Sequence, residues 1–171
     1  MIFGQGWPQF RGPSGQGHAD SNGLPLNWSR VKGVAWEKEL SGQAWSSPIC
    51  VDDQIFLTNA VLDKGSLVLE LISIDFNSGQ IRWRKKLFEY DQQPRIHKKN
   101  SYASPTPFYD NKFIFVHFGN LGTACLGKDG ELIWKKKLNY LPVHGSGASP
   151  VIFEDLLLLS ADGANDPCLY A

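Results

Sequence analysis

The chain lacks an excess of charge of either sign: seventeen basic and seventeen acidic residues cancel to a formal net charge of zero. Nucleic-acid binding draws much of its affinity from lysines and arginines that release counterions from phosphates, so a nucleic-acid partner is not expected. No apolar run approaches the roughly 20 residues of a membrane-spanning helix, and no membrane span is expected. Cysteine is scarce. Cys50, Cys125 and Cys168 have no metal-ligand spacing and cannot all pair, so they are expected to act as small buried hydrophobes. Met1 to Gly6 lack the charged start and apolar core of a signal peptide. The glycine-rich run Gly12 to Gly17 has no Lys-Ser/Thr after it and no strand-to-helix switch around it, which excludes a phosphate loop. It reads as part of an irregular N-terminal segment, residues 1–30, that Trp7 and Phe10 pin to the folded body.

What the chain does have is repetition. Val34-Trp36-Lys38-Leu40, Ile81-Trp83-Lys85-Leu87 and Leu132-Trp134-Lys136-Leu138 repeat one alternating pattern, the period of a half-buried strand. Gly79 and Gly130 each stand four residues before a Trp, in polar turns that join two strands. Upstream, Ser47-Pro48, Ser104-Pro105 and Ser149-Pro150 each precede a short apolar strand, an acidic turn and a second strand. The turns are Asp52-Asp53-Gln54, Asp110-Asn111-Lys112 and Glu154-Asp155. The unit is therefore a four-stranded antiparallel meander, and its recurrence at about 50 residues predicts the blades of a β-propeller over residues 31–171. A β-sandwich would not place Trp, Lys and Leu on the same strand of every unit.

The run Ser73-Ile74-Asp75-Phe76-Asn77-Ser78-Gly79-Gln80-Ile81-Arg82-Trp83 resembles the tryptophan-docking repeat of pyrroloquinoline-quinone-like (PQQ-like) propellers, which reads Ala-x-Asp-x-x-Thr-Gly-x-x-x-Trp. The resemblance makes Trp36, Asp75, Gly79, Trp83, Gly130 and Trp134 docking residues, with Leu126 standing where the second copy would carry its Asp. Trp7-Pro8-Gln9-Phe10-Arg11-Gly12-Pro13 and Asn100-Ser101-Tyr102-Ala103-Ser104-Pro105-Thr106 are similar to a bacterial subgroup of secreted PQQ-like repeat proteins. That subgroup implies a periplasmic or extracellular location. Aligned on the repeat, the chain starts with an isolated fourth strand around Trp36 and ends at the first position of a docking motif. The expectation is a partial propeller of about two and three-quarter blades, a piece of a longer protein.

The histidines are the candidates for function. In an up-and-down blade the links from the second to the third strand, and from the fourth strand to the next blade, emerge on one rim. His97 and His144 fall in blade-to-blade links, and His117 ends a second strand, so all three are expected on that rim. Arg95, Lys98, Asn100 and Tyr102 share the long link of His97, and Trp45 leads into the first blade. Long loops on a rigid scaffold are where binding usually resides. Against it stands a structural role, in which these histidines bond to carbonyls of neighbouring loops. The serines near them follow ordinary turn chemistry, with no nucleophile elbow. The reading is a non-catalytic module that binds a protein, peptide or carbohydrate of the cell envelope, similar to outer-membrane assembly lipoproteins, with no cofactor. The alternative is part of a quinoprotein dehydrogenase that holds PQQ and calcium; docking repeats imply the fold but not the cofactor.

Overall fold

A computed structural model describes residues 6–19 and 23–171. Alternation of apolar and polar side chains produces eleven strands among them, and no helix. The first sheet runs β1 (Ile49–Val51), β2 (Gln54–Asp63), β3 (Ser66–Asp75) and β4 (Ile81–Tyr90), each strand antiparallel to the next. The second repeats that order with β5 (Phe108–Tyr109), β6 (Ile114–His117), β7 (Thr123–Leu126) and β8 (Leu132–Lys136). The third comprises β9 (Val151–Phe153), β10 (Leu156–Ala161) and β11 (Cys168–Tyr170). The chain is all-β, a partial propeller of four-stranded antiparallel blades.

Local chemistry repeats with the strands. The first-to-second-strand turns place Asp52, Asn111 and Glu154 at φ of 53°, 77° and 53°, the left-handed conformation that matches a two-residue hairpin to strand twist. Bulges recur as well. Arg82 and Ile133 are each the extra residue just before a Trp, opposite Ser73/Ile74 and Cys125/Leu126.

The first two sheets stack face to face. Ile49, Phe56, Leu67, Leu69 and Leu71 of the first meet Ile114, Val116, Ala124 and Leu126 of the second in one buried core. Trp83 joins this interface, its ring 5.8 Å from Phe56, and the second-sheet turn at Gly130 lies against its indole. Trp36 repeats the arrangement one sheet earlier. A Cβ on Gly79 would lie 2.5 Å from the Trp36 ring, and Gly79 also has φ of 69°, so glycine alone fits there. The Trp36 Nε1 donates to the Phe76 carbonyl at 2.9 Å.

Ladder register corrects three expectations. Ile49, Phe108 and Val151 pair with Phe56, Phe115 and Leu158, so the partner of Ser47-Pro48 and Ser149-Pro150 is Thr106-Pro107, not Ser104-Pro105. The reassigned residues bond in series: the Ser47 N–H donates to Thr106 Oγ1 at 3.1 Å, and the Thr106 N–H to Ser149 Oγ at 2.9 Å. Each blade's first strand is thus held to the next by a hydroxyl. Gly127, not Leu126, stands at the place of Asp75, since Ile74 and Leu126 occupy matching ladder positions and the second turn is one residue shorter. Asp75 Oδ1 accepts from the N–H groups of Asn77 and Ser78, and in the shorter turn Asp129 Oδ1 accepts from the Glu131 N–H. Residues 34–40 form no ladder among the described residues. They cover the outer face of the first sheet, where Trp36 and Leu40 pack on Leu57, Ile72 and Ile74.

The N-terminal segment is tied by backbone: Trp7 exchanges two hydrogen bonds with Cys50, at 2.8 and 2.9 Å, and Pro8 accepts from the Tyr109 N–H. Phe10 is exposed and pins nothing. Of the cysteines only Cys125 is buried; Cys50 is partly covered and Cys168 is exposed at the margin of the third sheet.

Candidate functional site

The links between blades meet on one rim around a cleft of about 390 Å³. One wall comes from the link after β4, with Pro94, Arg95, Ile96 and Tyr102, and another from the β6–β7 turn, with Phe118, Asn120 and Leu121. The third comes from the link after β8, from Leu141 to Ser146, with Ala164 of the β10–β11 connection at its edge. The volume lies at the low end of ligand pockets, roughly 300–1,000 Å³, and suits one or two side chains.

Asn100 holds two of these walls together. Its Nδ2 donates to the His144 carbonyl at 3.0 Å and the Ser146 carbonyl at 3.3 Å, while its Oδ1 accepts from the Ser101 N–H and Ser104 Oγ. The walls approach closely enough that a Cβ on Gly145 would lie 2.9 Å from Ile96 and 3.0 Å from Asn100 Nδ2, at φ of 88°. Tyr102 is buried with its hydroxyl donating to the Pro94 carbonyl, and burial pushes its pKa up, which keeps it a donor. Tyr90 fixes the second wall in the same manner through the Leu121 carbonyl.

Among the residues singled out from sequence, Arg95 and Tyr102 line the cleft and Asn100 braces it. His97 and His144 are exposed beside it, their rings edge to face at 4.9 Å, and the His97 N–H points to the His144 carbonyl at 3.4 Å. The Lys99 N–H donates to His97 Nδ1. Thus the backbone and Asn100, rather than the imidazoles, tie the two links. Lys98 is exposed on the same link, and Trp45 is 54% exposed on the lead into β1.

His117 is not a rim group. Ile114, Val116 and Phe118 turn into the core shared with the first sheet, so strand alternation sends His117 to the opposite face, 1% exposed. Its Nδ1 lies 2.8 Å from Thr123 Oγ1, its Nε2 has no partner among the described residues, and burial pushes its pKa down to about 4. The matching residue of the first sheet is Thr58, whose hydroxyl reaches the Ala103 and Pro105 carbonyls of the next blade at 3.3 and 3.1 Å.

Sequence reasoning missed the apolar floor of Phe118 and Leu121 and the lip of Leu141, Pro142 and Val143. Leu141 and Val143 are 65% and 60% exposed, and two aliphatic residues around a proline in a link that needs no core residue were the available signal.

The donor set does not fit a quinone held by calcium. That ion takes six to eight oxygens, carboxylates prominent among them. The lining supplies no carboxylate and includes Arg95, a cation, instead. Among the described residues no group of three His, Cys, Asp or Glu is placed to share a metal, and the three cysteines lie in different sheets.

No family model matches the chain, and no curated protein matches it. Among solved structures the chain is similar to the crystal structure of BamB from Moraxella catarrhalis, at 10% identity and a TM-score of 0.37, over 70% of this chain. It spans 44% of that structure's length, less than half. No helix among the described residues is long and apolar enough to cross a membrane.

Proposed function

We propose that this chain is a non-catalytic propeller module that captures an extended segment of a partner protein, its rim cleft taking one or two side chains. The observation that carries this reading is the cleft itself: walls from three blade-to-blade and hairpin links, an apolar floor, and an exposed apolar lip at Leu141 and Val143. Leu141 and Val143 stand together at the mouth of the cleft, where their exposed side chains extend the apolar floor toward an incoming segment. Trp36, Asp75, Gly79, Trp83, Gly130 and Trp134 serve the scaffold, and Arg95, His97, Lys98, Asn100, Tyr102, His144 and Trp45 belong to the rim. The resemblance to secreted repeat proteins supports a cell-envelope location, periplasmic or extracellular.

The test is capture of a fluorescein-labelled random peptide pool by the full chain and by the double variant Leu141→Asp/Val143→Asp. Both residues are exposed, so the melting temperature is expected to hold within a degree or two while capture falls at least tenfold. Undiminished capture by the variant removes the cleft from the function. Saturable uptake of PQQ with calcium, lost in the variant, replaces this reading with a quinoprotein, and retention of an oligosaccharide pool in place of peptides replaces it with a carbohydrate-binding module.

A further inference from the structure

The charge around the cleft specifies its ligand more narrowly than its shape does. Arg95 lines the cleft and makes no hydrogen bond or ion pair among the described residues. Lys98 and Lys99, on the same link, are exposed and equally without a carboxylate partner. Some other basic groups are paired with carboxylates, while Lys85, Lys112 and Lys135 to Lys137, like Arg95, are not among the described residues. Arg82 bonds Asp53 and Asp75, Arg84 bonds Glu70, and Lys128 bonds Asp52. The lining itself contains no Asp or Glu. The same link carries one acid, Asp91, four residues before Arg95, and it is exposed and outside the lining. From Asp91 to Asn100 the link carries Arg95, Lys98 and Lys99 against Asp91 alone, a local cationic excess beside the apolar floor in a protein that is neutral overall.

Resting on the peptide-binding reading above, we infer that the cleft recognises an acidic-apolar segment: an aromatic or large aliphatic side chain seated against Phe118 and Leu121, flanked by a carboxylate that the Arg95 guanidinium receives. A guanidinium presents a planar fork of donors that matches a carboxylate in two parallel bonds, and beside an apolar floor such a bond is less screened than on open surface. Lys98 and Lys99 add attraction that is felt over about 10 Å at 0.1 M salt. The arrangement selects against basic segments for the same reason.

The experiment titrates the full chain with three fluorescein-labelled decapeptides: one with Phe between two Asp residues in a Gly/Ser background, one with Asn for both Asp, and one with Ala for Phe. The Asp-Phe-Asp peptide is expected to bind at least tenfold more tightly than either of the others, with affinity falling as salt rises from 50 to 300 mM. Arg95→Gln is expected to erase the preference for Asp over Asn and to leave the preference for Phe over Ala in place. Equal binding of the Asp and Asn peptides overturns the acidic preference while leaving the cleft as a peptide site. Failure of all three to bind overturns both readings. Arg95 is exposed, so its substitution is expected to leave the melt unchanged, and a shared loss of fold is excluded by that control.

Discussion

Mild acid is expected to destabilise this protein through His117 before its carboxylates titrate. The imidazole is buried with Nε2 unpartnered among the described residues, and burial drives its pKa from 6.5 down to about 4. A group whose folded-state pKa lies below its unfolded value binds fewer protons in the folded chain. Stability is therefore complete above pH 6.5 and falls as the pH drops through the window down to about 4. At about 1.4 kcal/mol per pKa unit, the loss across that window is about 3 kcal/mol. Asp53 and Asp75 are held below the usual carboxylate value first of all by their hydrogen bonds to Arg82, so their share is lost only at still lower pH. The reference variant is His117→Thr, because Thr58 at the matching position bonds carbonyls of the next blade. Urea unfolding at pH 7, 5.5 and 4 is the assay. Wild type is expected to lose about 3 kcal/mol more than His117→Thr between pH 7 and 4, since every other titration is common to both. Parallel stability curves would refute the reasoning, and would mean that Nε2 finds a partner or water in the protein in solution.

Two further expectations concern how blades join. Gly79→Ala should lower stability by about 2–3 kcal/mol, because the added methyl meets the Trp36 ring and the backbone is left-handed; an unchanged thermal melt would show that Trp36 does not dock there. Thr106→Val should cost about 1–2 kcal/mol by stranding the Ser47 N–H, while Thr106→Ser should restore it; equal melts for the two variants would remove the hydroxyl link from the account.

The fold was legible because its signals are local and periodic. Alternation marks strands, a positive-φ turn marks each hairpin, and the recurring Trp-Lys-Leu pattern marks the blade. Register was harder, since Ser104-Pro105 and Thr106-Pro107 are both plausible strand starts and only the ladder of Phe108 to Phe115 separates them. A one-residue change in turn length likewise moved the Asp75 position from Leu126 to Gly127. His117 was misplaced for a related reason: position in the strand order locates a residue along the blade but not on which face it lies. The strand-like pattern of residues 34–40 forms no ladder, because a strand needs a partner and none stands beside it among the described residues. The cleft was half legible. Arg95, Asn100 and Tyr102 came from the length of one link, whereas Phe118, Leu121 and Val143 depend on three links converging, which no single segment reveals.

The two rims differ in chemistry. On the rim of the tight turns, Arg82 joins the Asp53 and Asp75 turns of one blade, and Lys128 crosses to Asp52 of the neighbouring one. Those ion pairs tie turns of the first two blades to one another. On the other rim, the hydroxyl bonds from Ser47 through Thr106 to Ser149 secure the start of each first strand. The links leading to those points are therefore anchored at the inner end and free in length elsewhere. Only such a link can vary its sequence without disturbing a ladder, and it is on these that Arg95, Lys98 and the apolar lip occur. Asn100 then bonds the two longest to one another, so on the proposed peptide-binding reading the cleft is already formed and its ordering cost is borne by folding rather than by binding.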